Sequence, residues 1–351
     1  MSGLHAVLDA IRSPDPALAV RAQARLDQLT KPPGSLGRLE ELARRVVVMT
    51  GELMPRLSRP VIFTLVGDHG VVAEGVSAYP QVVTAQMVEN LCRGGAAVNV
   101  LARHVGARVV VADLGVAAEL PPYPGLVSRK VAPGTANMAR GPAMGREQAL
   151  RAVEVGLDLV AEADPDLIGT GEMGIGNTTA ASALTVALTG ADPEAATGPG
   201  TGIDEATRRR KVEAIRRALA VNRPDPADPL DPLAKVGGLE IAGLVGVILA
   251  AAARKVPVVV DGFIATAAAL VAVRLKAEAR DYLVASHRSP EPGHRLLLET
   301  LGLAPLLDLG MRLGEGTGAA LGIGLIQAAL QLYREMATFK EAGVSGRENG
   351  P

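Results

Sequence analysis

The sequence predicts an α/β protein: a doubly wound, mostly parallel sheet with a smaller helical domain formed by the N- and C-terminal segments. Three observations predict it. Short runs rich in Val, Ile and Leu recur at residues 61–66, 108–113, 165–169, 257–262 and 282–286, a sheet of about five or six strands if the weaker segments join. Between them lie helical periods long enough to be the crossovers that parallel neighbours need. Both ends of the chain read as helix without strand, which assigns 1–58 and 318–351 to the helical domain and 59–317 to the α/β domain that carries the site.

In order, Leu4, Val7, Leu8 and Ile11, then Leu18, Ala22, Leu26 and Leu29, give two helices separated by the breaker Ser13-Pro-Asp-Pro16. Lys31-Pro-Pro-Gly-Ser-Leu-Gly37 is a rigid turn, and Leu39, Leu42, Val46 and Met49 resume a helix. Strand 61–66 ends in Gly67-Asp68-His69-Gly70, and 71–81 reads as loop. Residues 82–105 form a helix interrupted at Gly94-Gly95, strand 108–113 follows, and 127–137 is an edge strand or an excursion. An amphipathic helix at 145–163 leads to the strand ending at Gly169 and the loop Gly171-Glu-Met-Gly-Ile-Gly-Asn-Thr-Thr179, with a helix from 181. A second glycine loop, Thr197 to Asp204, precedes a basic helix, and 232–255 holds apolar helix. Strand 257–262 ends in Asp261, helix 263–276 follows, and strand 282–286 ends in His287, Arg288 and Ser289. Residues 306–308 read as a short strand or a helical turn, ahead of a helix at 318–338.

With 351 residues, 48% of them hydrophobic, the chain can bury a large core. A net charge of -1 with interspersed signs removes the electrostatic case for nucleic acid or an anionic membrane, and 2% aromatics argues against base stacking on a single-strand platform. The longest apolar run, 241–253, is too short to span a bilayer and is expected to be a buried helix. One cysteine, Cys92, and an N-terminus without a signal-peptide pattern lead to the expectation of a cytoplasmic protein.

Strand ends therefore present Asp68, Glu172, Asp261 and His287 or Ser289 toward one edge of the sheet, where open α/β sheets bind ligands. Carboxylates there suit ribose hydroxyls, and the amides of the 174–179 loop, opening a helix, suit a phosphate; a plain capped helix start reads the same way. No Walker loop, nucleophile elbow or His/Cys metal spacing is present, so no metal or cofactor is expected. Met311-Arg-Leu-Gly-Glu-Gly-Thr-Gly318 sets Glu315 between glycines that allow positive φ and close approach, although a glycine-rich helix entry with a solvated glutamate is equally compatible. Gly314, Gly316 and Ala319 fit the dinucleotide pattern, but no second strand follows to complete that unit.

Seven segments taken together, 31–40, 67–71, 171–179, 236–241, 261–263, 286–289 and 312–318, closely resemble the nicotinate-nucleotide:dimethylbenzimidazole phosphoribosyltransferases of cobalamin biosynthesis, in order and over nearly the whole chain. The resemblance implies a homodimer with a Rossmann-like large domain, which transfers phosphoribosyl from nicotinate mononucleotide to 5,6-dimethylbenzimidazole with inversion at C1′. It implies Glu315 as general base and Glu172 as a second acidic residue. It likewise implies Gly174, Gly176, Asn177, Thr178, Gly202, Lys211, Asp261 and Ser289 at the nucleotide, and Ser77, Tyr79 and Gln86 at the base. Alternatives are another acceptor base, or a sensor on the same fold that binds nucleotide or benzimidazole without turnover.

Overall fold

The structure, a computed structural model, describes residues 2–200 and 202–345; Thr201 of the second glycine loop and the tail from 346 of the predicted helical domain lie outside the described residues. The chain opens with α1 (Ser2–Ala10), α2 (Ala17–Gln28) and α3 (Arg38–Thr50). The turn between α2 and α3 is fastened from within: Lys31 Nζ lies 2.8 Å from Glu40 Oε1, both side chains buried, and that oxygen also accepts the Leu36 N–H at 2.9 Å. Neither residue lines the cavity described below, so this segment, for all its distinctiveness, secures a corner of the fold.

Next come β1 (Pro60–Gly67), α4 (Val82–Cys92), α5 (Ala97–His104), β2 (Arg108–Gly115), β3 (Leu126–Ser128), α6 (Arg146–Ala163) and β4 (Leu167–Met173). They are followed by α7 (Asn177–Thr189), α8 (Pro193–Ala196), α9 (Glu205–Asn222), α10 (Leu230–Val236), α11 (Leu239–Ala253), β5 (Val258–Val260), α12 (Phe263–Leu275), β6 (Leu283–Ala285), α13 (Pro292–Leu301), α14 (Thr317–Glu335) and α15 (Phe339–Ala342). The sheet has six strands in the order β3-β2-β1-β4-β5-β6, and every pairing is parallel. Chain direction across the sheet reverses at β1 and β4, and a crevice opens beyond their carboxyl ends.

Helices cover both faces. On one, α11 packs against β1, β2 and β4 and is flanked by α6 and α12; on the other, α14 lies on β1, β4 and β5 and is backed by α3 and α5. Helix α1 reaches the first layer, touching α11 and α6. Helix α11 is apolar on every side because it is buried nearly end to end, and no helix among the described residues is long and apolar enough to cross a membrane. Its contact with α6 is backbone on backbone: a Cβ on Gly246 would overlap the Val153 carbonyl, and one on Gly156 the Gly243 carbonyl. A side chain at either position would push the helices apart and expose the Leu and Ile around it, each of which stabilises by about 1.5–3 kcal/mol when buried.

Several local readings differ from the structure. Strand β4 runs on through Glu172 to Met173 instead of ending at Gly169, and α7 begins at Asn177. Residues 306–308 run beside the end of β6, Leu306 N–H donating to the Ala285 carbonyl and Leu307 N–H to the Ser286 carbonyl, both at 3.0 Å, and form a single bridge of Leu307 with His287 in place of a full strand. Helix α13 has no counterpart in the sequence reading, and the segment 71–81, expected as loop, begins with a short 3-10 turn at Gly70–Glu74. The β4 error has a physical cause. Glycines in a run normally signal a turn, but Gly169 and Gly171 stay in the strand because the α14 entry crosses directly over them.

Candidate active site

A cavity of about 350 Å³ opens at the carboxyl ends of β4 and β6, between the 174–178 loop, Pro199, Gly200 and Ile203, and the segment before α14. Its walls are mostly apolar near Val76, Val83, Met87, Ile175 and Leu313, and carry charge at Glu172, Lys211, Glu291, Arg312 and Glu315. That is the usual composition of a small-molecule site, an apolar slot with a few converging polar groups.

Glu315 stands out first by its backbone. Four non-glycine residues among those described have positive φ, and three of them, Asp164, Arg223 and Lys255, are exposed at helix ends where that conformation is common. Glu315, at φ 63°, is buried and precedes a helix, an arrangement that costs on the order of 1–3 kcal/mol and persists only where its surroundings enforce it. They do. Thr64 Oγ1 donates to the Glu315 carbonyl at 2.8 Å from the middle of β1. Across β4, Gly171 leaves that carbonyl no spare room: a Cβ there would overlap the oxygen and lie 2.6 Å from the carbonyl carbon. The side chain is thereby aimed at the cavity, and its Oε2 is buried with no protein hydrogen-bond partner. Burial pushes the carboxyl above the ordinary glutamate range, while the Val98 backbone N–H pulls the other way.

Asp261, at the end of β5, holds this segment from below. Its Oδ2 accepts the Gly316 N–H at 3.1 Å and its Oδ1 the Ala319 N–H at 3.0 Å, so it supplies the cap that α14 lacks from its own residues. Burial raises the Asp261 carboxyl to about 7, against the pull of those amides. Glu172 completes the acidic cluster and accepts a short hydrogen bond from Asn177 Nδ2. Burial, then repulsion from Glu240, Asp261 and Glu315, drives its carboxyl well above the ordinary range. Behind the 174–176 loop, His69 Nε2 and Glu240 Oε1 pair at 2.7 Å, both fully buried. The motifs around them, 67–70 and 236–240, thus meet beneath the site.

Across the cavity lies a cationic end. Lys211, buried on α9, donates from Nζ to Thr178 Oγ1 at 2.8 Å in the first turn of α7, and burial lowers its ammonium to about 8. Arg312 Nη1 donates to the Gly200 carbonyl at 3.1 Å, and Glu291 Oε1 accepts the Gly200 N–H at 2.8 Å. A helix N-terminus, a lysine and an arginine together form a place for a phosphate.

The structure brings Glu172, Gly174, Gly176, Asn177, Thr178, Lys211, Ser289, Ser77, Tyr79 and Glu315 to the cavity wall. Three predicted residues are elsewhere. Gln86 is exposed, and its helical neighbours Val83 and Met87 face the cavity instead; Gly202 lies off the wall, where Gly200 and Ile203 stand; and Asp261 spends its carboxylate on the α14 amides. Sequence reasoning missed Glu291, the N-cap of α13. Its one signal was the Glu291-Pro292 step, since proline favours the first helical position. Arg312 sat inside a recognised segment without being singled out.

An apolar slot with buried carboxylates at one side and a helix N-terminus, a lysine and an arginine at the other, at the switch point of a doubly wound sheet, has the form of a nucleotide-handling transferase. A sequence profile described as phosphoribosyltransferase matches residues 11–344. The nicotinate-nucleotide:dimethylbenzimidazole phosphoribosyltransferase of Geobacter sulfurreducens is 57% identical over 348 residues, 98% of this chain and 99% of that protein. The protein of the same name from Chloroflexus aggregans is 56% identical over 351 residues, 99% of each. A crystal structure of nicotinate-nucleotide-dimethylbenzimidazole phosphoribosyltransferase from Thermus thermophilus superposes with a TM-score of 0.89 at 51% identity, covering 95% of this chain and 100% of that one. The chain belongs to the nicotinate-nucleotide:dimethylbenzimidazole phosphoribosyltransferase family.

Proposed function

We propose that this chain transfers the phosphoribosyl group of nicotinate mononucleotide to 5,6-dimethylbenzimidazole, giving α-ribazole 5′-phosphate and nicotinate. The family and the relatives' names support the reaction. The observation that carries its chemistry is the Glu315 carboxylate at the cavity wall, with one oxygen free of protein partners and a backbone held in place from two strands.

In this reading the phosphate lies at the α7 N-terminus with Lys211, Thr178, Ser289 and Arg312, and the planar base lies in the apolar slot near Tyr79, Val83, Met87 and Leu313. One ring nitrogen of the base attacks C1′ as the bond from C1′ to the nicotinate nitrogen breaks. The bonding pair leaves with nicotinate, whose pyridinium nitrogen becomes neutral. Positive charge passes to the benzimidazole, and the proton on its other nitrogen goes to Glu315 Oε2. Burial aids this step twice: it makes Glu315 a stronger base, and it strengthens the attraction between its carboxylate and the developing cation. The same reading places the enzyme in the cytoplasm as a homodimer.

The test is to incubate the protein with nicotinate mononucleotide and a panel of bases in metal-free buffer and follow nicotinate release. Release that depends on dimethylbenzimidazole supports the reading. Tight nucleotide binding with no release for any base would leave a sensor as the better account.

A further inference from the structure

The first turn of helix α13 reaches the cavity wall through a residue that does not line it. His294, fully buried, accepts the backbone N–H of Ser289 on Nδ1 at 3.0 Å. Its Nε2 lies 3.1 Å from Thr266 Oγ1, and that hydroxyl is 2.7 Å from the Gly262 carbonyl. The tautomer follows from these contacts. Nδ1 is an acceptor, so the ring proton sits on Nε2 and is donated to Thr266, whose own proton goes to Gly262. Every polar atom of the ring is thus used, and the chain of bonds ties the first turn of α12 to the Ser289 loop. Gly262 and Ser289 both line the cavity. Burial, together with the His287 ring 6.2 Å away, lowers His294 to about 3, so it stays neutral and keeps this tautomer through the physiological range.

Close packing fixes the ring further. A Cβ on Gly293 would lie 2.6 Å from the Phe263 ring and 2.7 Å from the Ala196 carbonyl, so α13 enters its groove only with glycine there. At the same helix start, Glu291 holds the Gly200 amide. The first turn of α13 therefore sets two segments of the cationic end at once.

We propose that His294 is a positioning residue for nucleotide binding: through Nδ1 it fixes the Ser289 backbone, and with it the hydroxyl presented to the phosphoribosyl group. The proposal rests on the reading of the cavity given above. It makes the two ring nitrogens unequal, which a general packing role does not.

His294→Asn places an amide oxygen near the Nδ1 position, and His294→Gln places its amide near Nε2. Both shorten or reshape the same buried side chain, so a packing role predicts similar damage from each. The expected result is that His294→Asn keeps KM for nicotinate mononucleotide within about threefold of wild type, while His294→Gln raises it about tenfold by leaving the buried Ser289 N–H unpaired. KM for the base stays level in both. Thr266→Val, which frees the Nε2 side while keeping Nδ1, is expected to raise nucleotide KM less than His294→Gln. Calorimetric Kd values for nicotinate mononucleotide are to follow the same order, and they test His294 independently of turnover. A wild-type protein that binds the nucleotide but transfers to no base would defeat the proposed reaction alone. Equal nucleotide Kd for the Asn and Gln variants, or losses that track only their melting temperatures, would overturn the role of His294.

Discussion

Gly171→Ala is the sharpest test of how the fold places Glu315, because it alters neither charge nor any cavity-lining side chain. A Cβ at this position would overlap the Glu315 carbonyl oxygen, and it would sit 2.6 Å from the Glu315 carbonyl carbon and 2.8 Å from the Gly316 nitrogen. Carbon atoms rest at about 3.5–4.0 Å, so the segment before α14 must retreat by about 1 Å. It cannot do so and keep the 2.8 Å bond from Thr64 or the Asp261 bond to the Gly316 amide. Overpacking costs about 1–3 kcal/mol and the lost hydrogen bonds about 1 kcal/mol each, a range a chain of this size can survive. A displacement of about 1 Å at a catalytic group costs on the order of 10²-fold in rate. The assay is steady-state nicotinate release with dimethylbenzimidazole, beside thermal unfolding of the same samples. The expected result is a folded protein with a slightly lower Tm and kcat reduced about 10²-fold. Wild-type kcat in a folded Gly171→Ala protein would refute the claim that β4 holds Glu315 in register.

Glu315→Gln is expected to keep KM for both substrates and lower kcat by about 10²-fold or more, read by the same release assay. Lys211→Met removes a charge-assisted contact and is expected to raise nucleotide KM about tenfold or more, with KM for the base unchanged. Because burial lowers Lys211 to about 8, the cation is lost as pH rises through that value, so kcat/KM for the nucleotide falls above pH 8 in the wild type and loses that limb in Lys211→Met. Asp261, raised to about 7 from an unfolded value near 3.9, takes up a proton on folding between those values. Its contribution to stability is therefore full below the unfolded value and shrinks as pH rises toward 7. The Tm of Asp261→Asn relative to wild type should accordingly increase from pH 5 to pH 8, and a constant difference would contradict the assignment.

Much of the fold was legible because it follows from local rules. Val61 to Val66 could only be a buried strand, and the breakers at 13–16 and 94–95 divide helices where the structure divides them. The loop after β4, with its glycines and helix start, lies on the cavity wall. Tertiary pressure defeated the same rules elsewhere. Gly169 and Gly171 looked like a turn and are strand, since the crossing of the α14 entry, not a local bend, requires them. Gln86 was placed at the base by resemblance, but the rotation of α4 turns Val83 and Met87 inward. Asp261 lay at the correct strand end, and only the arrival of α14 decides that its carboxylate caps a helix.

By itself the sequence determined the alternation of strand and helix, the parallel sheet, and the residue types available at its carboxyl edge, because periodicity and turn chemistry act over a few residues. It also supplied the glycine, glutamate, glycine step at 314–316, yet left open whether that glutamate was solvated. Tertiary structure decided this. Thr64 from β1, the bare face of Gly171 on β4 and Asp261 from β5 converge from positions 251, 144 and 54 residues away in the chain to set one backbone carbonyl and two amides. A contact across such separations leaves no local trace at residue 315, and it is that contact which turns an ordinary carboxylate into one buried, aimed and basic.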